Sequence, residues 1–277
     1  MNQDLKNIFD KFIEKTKSMD EVLGAWNFGS EMHGKADEYS DVDVVLLVEG
    51  TSFPKMEQTI DDLLPEICDD VLLRWEEEFN GEAIINNGYI LRNNGLLFQF
   101  DVFLINNDML DDFMCRIHYT DLSEKDIIFD KRGDVKRLSE NPPKGSLWSD
   151  DVERLQRTYW YHLNMAAKYL LRRDFFKLNN IFRTLYDTHD SLLLSAYDTI
   201  TWGGSASKLK YIPTEKQEHL KKYYCTDDPG LDRDNLIASA ELFEKDLSEI
   251  SAEKNMICKP ETGIAVKKQL IDLTSSL

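Results

Sequence analysis

Apolar residues at Leu5, Ile8, Phe9, Phe12 and Ile13 recur at three- and four-residue intervals between Asp4 and Met19, the spacing of a helix with one buried stripe. The period then shortens. Val22 to Trp26 is a brief apolar stretch, and Ser40-Asp41-Val42-Asp43-Val44-Val45-Leu46-Leu47-Val48 reads as a strand opened by two acids. A helix is predicted from near Pro54 through Asp61-Asp62-Leu63-Leu64, and a short strand over Val71 to Trp75. Tyr89 to Asn93, the Asn94-Gly95 turn and the run Leu96 to Ile105 form the two arms of a β-hairpin. Strands and helices mix in this way to about residue 130.

Asn141-Pro142-Pro143-Lys144-Gly145-Ser146 stops any regular element and reads as a linker. Beyond it the pattern is helical. Ser149-Asp150-Asp151 can cap a helix from Val152 to about Arg172, and Phe176, Ile181, Leu185, Leu192, Leu193 and Ala196 mark a second from Phe175 to about Ile200. Helices near Thr214–Tyr224 and Asp234–Ile250, with a short one near the carboxyl end, complete a bundle. The expected organisation is an α+β domain over residues 1–140 and an all-α bundle over 146–277.

The chemistry concentrates at Asp41 and Asp43. Alternation along a strand projects both carboxylates to one side while Val42 and Val44 point to a core. Two adjacent carboxylates repel unless a cation stands between them, and hard oxygen donors without a neighbouring Cys or His suit Mg²⁺. Phe28-Gly29-Ser30 follows the first short strand, where a glycine admits close backbone approach and a serine hydroxyl can join backbone N–H groups around phosphate oxygens. Asp101 is an acid inside the apolar run Leu96 to Ile105, a placement that burial makes costly without a partner. The hairpin would return it beside the other carboxylates; a structural ion pair with Arg92 or Arg74 is the rival explanation.

The stretch Phe28 to Asp43, a Gly-Ser turn, ten residues and Asp-x-Asp, resembles the DNA polymerase β-like nucleotidyltransferase superfamily. Gly34 and the pair Ser40-Asp41 are similar to its bacterial antibiotic-modifying branch, the aminoglycoside and lincosamide nucleotidyltransferases. That resemblance implies a mixed sheet with flanking helices as the catalytic domain and a helical acceptor-binding domain after it. It implies transfer of AMP from ATP to a hydroxyl, Mg²⁺ held by Asp41, Asp43 and Asp101, and nucleotide contacts from Gly29, Ser30, His33, Ser40 and Lys208. His33 departs from the family's usual Arg, so Lys35 or a residue of the second domain would supply the missing charge. Lys208 and Lys210 lie in a segment similar to a lysine-bearing loop of the streptomycin-modifying type.

Composition and charge narrow the partners. The chain has 277 residues, 42% hydrophobic and 11% aromatic, enough for two domains with cores. Residues 1–140 hold 31 Asp and Glu against 14 Lys and Arg, a net of −17; the remainder holds 20 against 19, a net of −1. Such a field repels nucleic acid and draws in a cationic small molecule. No apolar run is long enough to span a membrane and the amino-terminal segment is polar, so a cytoplasmic protein, monomer or homodimer, is expected. Cys68, Cys115, Cys225 and Cys258 have no Cys-x-x-Cys pairing and are expected as thiols in or near cores. Tyr159-Trp160-Tyr161 and Trp202 are expected in packing more than in stacking on a ligand, and Glu153, Asp187 and Asp190 as exposed helix charges. A transferase acting on a protein or RNA, and a nucleotide-binding module without catalysis, are the alternatives; the first would need a basic track absent from the sequence.

Overall fold

The structure, a computed structural model, describes residues 1–29, 40–142, 152–196, 212–253 and 260–277, and the chain divides into two compact units, Met1–Lys144 and Gly145–Leu277. The first is α+β. It holds α1 (Gln3–Ser18), β1 (Val22–Asn27), β2 (Val42–Val48), α2 (Phe53–Leu63), β3 (Asp70–Glu76), β4 (Ile84–Asn93), β5 (Leu96–Asn106), α3 (Phe113–Ile117), β6 (Ile127–Asp130) and α4 (Asp134–Glu140).

Six strands form one sheet in the order β3-β4-β5-β2-β1-β6, in which β2 and β5 run parallel and every other pair is antiparallel. One face is covered by α1 and α2: Leu5, Ile8, Phe12, Met56 and Ile60 pack with Val42, Val44, Leu46, Tyr89, Leu91, Phe100 and Val102 in a continuous core. Because strand side chains alternate, Asp43, Val45 and Leu47 point to the other face. Its lower half is closed by Phe28, Phe103 and His118, whose rings lie 4.8–5.2 Å apart, and by Trp26, whose Nε1 donates to the His118 carbonyl at 3.1 Å.

The second unit contains α5 (Val152–Leu171), α6 (Phe175–Ala196), α7 (Thr214–Leu220), α8 (Pro229–Glu253) and α9 (Pro260–Leu273), with no strand among its described residues. Tyr159 stacks on Phe243 with ring centroids 3.6 Å apart, and Leu163, Leu185, Leu192 and Leu236 surround them. Gly263 on α9 is seated on the Trp160 ring, where any Cβ would collide.

Several elements differ from their sequence-based limits. The helix expected to Tyr224 stops at Leu220, and the chain turns so that the Tyr223 hydroxyl reaches the bundle interior. The carboxyl-terminal helix is 14 residues long. Strand β6 and helix α4 had no periodic signature: β6 is four residues at a sheet edge, paired only with β1. Cys68, Cys115 and Cys225 are free thiols, Cys115 fully buried; Cys258 lies outside the described residues.

Candidate active site

A single row of positions crosses the open half of the sheet. The parallel register of β2 and β5 sets Asp43 beside Asp101, the antiparallel register of β4 and β5 sets Asp101 beside Gly88, and β3 places Trp75 next to Gly88. Asp41 immediately precedes β2. The Phe28 N–H donates to the Asp43 carbonyl at 2.9 Å, which holds the Gly29 turn against the strand. Gly29 has φ +60°, and a Cβ there would overlap the Asp43 carboxylate; this position needs glycine on both counts. Gly88 serves Asp101 in the same way, since a Cβ at Gly88 would stand 2.5 Å from Asp101 Oδ1.

Among the described residues no Lys or Arg makes an ion pair with Asp41, Asp43 or Asp101. Arg92 pairs with Asp70 at 3.6 Å, and Arg74 lies with Glu57, Asp61 and Glu76, so neither provides the structural partner considered for Asp101. Asp101 instead accepts from Gln99 Nε2 at 2.7 Å. Burial, reinforced by the charges of Asp41 and Asp101, pushes the Asp43 carboxyl up to about 7. Burial also raises Asp101 to about 6 against the Gln99 hydrogen bond, with Asp41 and Glu77 adding to the rise. Asp43 and Asp101 stand side by side on adjacent strands and feel the charge of Asp41, and oxygen donors of this kind are those that hard divalent cations take.

Ser40, partly buried, lines with Asp41, Asn2, Leu5, Leu96, Leu97 and Gln99 a groove of about 360 Å³ at the same end of the sheet. Ser30, His33 and Lys208 lie outside the described residues, as do Lys35, Lys210 and Trp202. In the helical unit Tyr159 and Trp160 are core residues whereas Tyr161 is exposed. Glu153 and Asp187 are solvent-facing charges on α5 and α6. Asp190 corrects the expectation made for all three: it is fully buried, because α6 runs through the bundle and is enclosed there on more than one side.

The helical unit also contains a buried polar cluster that sequence spacing did not reveal. Asp246 Oδ2 accepts from His189 Nε2 at 2.9 Å and His219 Nδ1 at 2.7 Å, and its Oδ1 accepts from Lys216 Nζ at 2.5 Å. The Tyr223 hydroxyl joins His189 Nδ1 at 2.8 Å to the Tyr159 hydroxyl at 2.9 Å. His189, His219 and Asp246 offer ligand atoms within 4.8 Å of one another, but Lys216 already neutralises the carboxylate and the hydrogen bonds account for its oxygens. In the sheet unit, the residue that sequence reasoning missed is Gly88; a lone glycine between Asn87 and Tyr89 inside a strand is the available signal of close approach.

No family model and no curated protein matches the chain. Among solved structures it is similar to an aminoglycoside 6-adenyltransferase from Bacillus subtilis, with 12% identity, TM-score 0.45 and 99% of each chain covered. It is also similar to a nucleotidyltransferase-like protein from Exiguobacterium sibiricum 255-15, with 13% identity, TM-score 0.30, and coverage of 90% of this chain and 79% of that one. Likenesses of this size decide nothing about chemistry, which rests on the residues described above.

Proposed function

We propose that the chain is a nucleotidyltransferase that moves AMP from ATP to a hydroxyl of a small cationic acceptor of the aminoglycoside or lincosamide kind, releasing pyrophosphate. The observation that carries this reading is the register that sets Asp43 against Asp101, with Asp41 adjacent and no basic residue pairing with them among the described residues. Asp41, Asp43 and Asp101 would hold Mg²⁺, which supplies charge neutralisation for the phosphates when bound. The Gly29 turn, held against β2 by the Phe28 N–H to Asp43 carbonyl hydrogen bond, would bring its backbone N–H groups to the terminal phosphates. Asp101, set beside Asp43, completes the metal site or takes up the proton of the attacking hydroxyl as the new O–P bond forms and the bond to pyrophosphate breaks. Most of the acceleration then comes from positioning and charge compensation. The net charge of −17 over residues 1–140 favours a cationic acceptor over a polyanion.

The test is pyrophosphate release with Mg²⁺ and ATP across a panel of aminoglycosides and lincosamides. Acceptor-dependent release that vanishes in Asp43→Asn supports the reading. Silence across the panel from a protein that still binds ATP removes the antibiotic-like acceptor from it.

A further inference from the structure

The row Asp43, Asp101, Gly88, Trp75 continues past the carboxylates onto the edge strand, and its far end is an exposed indole. Trp75 is 62% exposed on β3, with Leu73 48% exposed two residues earlier on the same face and Leu97 59% exposed on β5. A tryptophan on a sheet edge loses water contact only when something covers it, and natural edges are more often blunted by charge than left apolar. Here the residue between Trp75 and Asp101 is Gly88. A Cβ at Gly88 would stand 3.9 Å from the Trp75 Cβ and 2.5 Å from Asp101 Oδ1, so indole and carboxylate face the same bare strip of backbone. Neighbouring strands are about 4.8 Å apart, which places Trp75 about 10 Å from Asp101 across the sheet, the span of a single substituted ring. Glu77 lies two residues beyond Trp75, hydrogen-bonded through its N–H to the Asn86 carbonyl at 3.2 Å, and its charge is felt at Asp101.

We propose that Trp75 and Leu73, with Glu77 and Asp101 around them, form the acceptor subsite: an amine-bearing ring lies over Gly88 against the indole and presents its hydroxyl to Asp101. This deepens the transferase reading and rests on it. The order along the row assigns the occupant. The Gly29 turn is beyond Asp43, so the nucleotide phosphates enter from one end and the attacking group from the other, where the indole stands. A cationic ring matches both the π face and the carboxylates beside it, whereas an anionic or purely apolar molecule would meet Glu77 and Asp101 unpaired.

The experiment titrates wild type, Trp75→Ala and Trp75→Phe with kanamycin and lincomycin, with spermidine as a polycation lacking a ring. Tryptophan fluorescence and calorimetry report binding, and acceptor KM is measured apart from ATP KM. Kanamycin or lincomycin is expected to quench wild-type fluorescence, and Trp75→Ala to raise the Kd and KM of the binding probe about tenfold. Trp75→Phe should recover most of that loss, with spermidine binding and ATP KM unchanged in both variants. Because Trp75 is exposed, both variants keep the wild-type thermal midpoint. An unchanged probe Kd in Trp75→Ala, a rise in ATP KM instead, or failure of every ring probe to bind wild type overturns the subsite. Probe binding that depends on Trp75 without any pyrophosphate release would refute the transferase reading, and with it the acceptor role, leaving a ring-binding site alone; release with an unchanged acceptor KM would overturn the subsite and leave the transferase reading.

Discussion

Replacing Asp43 with Asn should make the metal-free protein more stable while removing its activity. The carboxyl is raised from 3.8 to about 7 by burial first and by the charges of Asp41 and Asp101 second. A carboxyl that binds its proton more tightly when folded contributes stability below the unfolded pKa and loses it as pH rises through the folded one. Above pH 7 the ionised side chain therefore works against the fold, by at most about 4 kcal/mol from the size of the displacement. Asp43 retains part of its solvent contact, so screening reduces this to about 1–2 kcal/mol, or roughly 3–6 °C in thermal midpoint for a unit of this size. The amide keeps the shape and drops the charge. Thermal unfolding of wild type and Asp43→Asn in EDTA should show the variant higher at pH 8 and the gap closing as pH falls toward 4. Adding Mg²⁺ should raise wild type alone. A variant that melts below wild type at pH 8 would refute the reasoning, because Asp43 would then be a structural residue making favourable bonds.

Other consequences follow from particular contacts. Gly88→Ala sets a methyl 2.5 Å from Asp101 Oδ1 and should lower kcat/KM at least about tenfold with little change in melting, read by steady-state kinetics beside circular dichroism. His118 is completely buried, its Nδ1 bonded to the Met114 carbonyl at 2.6 Å, and burial lowers its pKa to about 4. Its contribution is thus present above about pH 6.5 and is lost as pH falls toward 4, by up to about 3 kcal/mol, which urea midpoints at pH 7 and 4.5 will detect. Asp246→Asn leaves Lys216 and two buried imidazoles without their shared carboxylate, and should destabilise the helical unit by about 3–5 kcal/mol, visible as an early transition in calorimetry. Burial holds His189 below its ordinary pKa, so the same unit should also weaken as pH drops beneath about 6.5.

The carboxylates were legible in the sequence because alternation is a local rule: Asp41-Val42-Asp43 and the acid within Leu96 to Ile105 announce their faces without knowledge of neighbours. The Asn94-Gly95 hairpin was legible for the same reason, and its register sets Asp101 at the right level. What could not be read is pairing at a distance. Nothing local to Val71–Trp75 states that this strand joins the edge beyond β4, and a bulge between Val71 and Leu73 shifts its register, so the position of Trp75 opposite Gly88 emerges only in the sheet. The His189, His219 and Asp246 cluster is hidden similarly, since its members sit on three helices and are separated by 30 and 27 residues. Asp190 was misjudged because a charge on an amphipathic pattern reads as solvated, whereas α6 is buried on more than one side.

Mass analysis of the acceptor after incubation with ATP and Mg²⁺ is the most direct measurement of the central claim, with Asp43→Asn and an EDTA-treated sample beside it. An aminoglycoside or lincosamide that gains the mass of one AMP unit with wild type, and not in either control, is the predicted result. An acceptor modified equally well by Asp43→Asn would contradict the account, because the chemistry would then lie somewhere other than the carboxylate row.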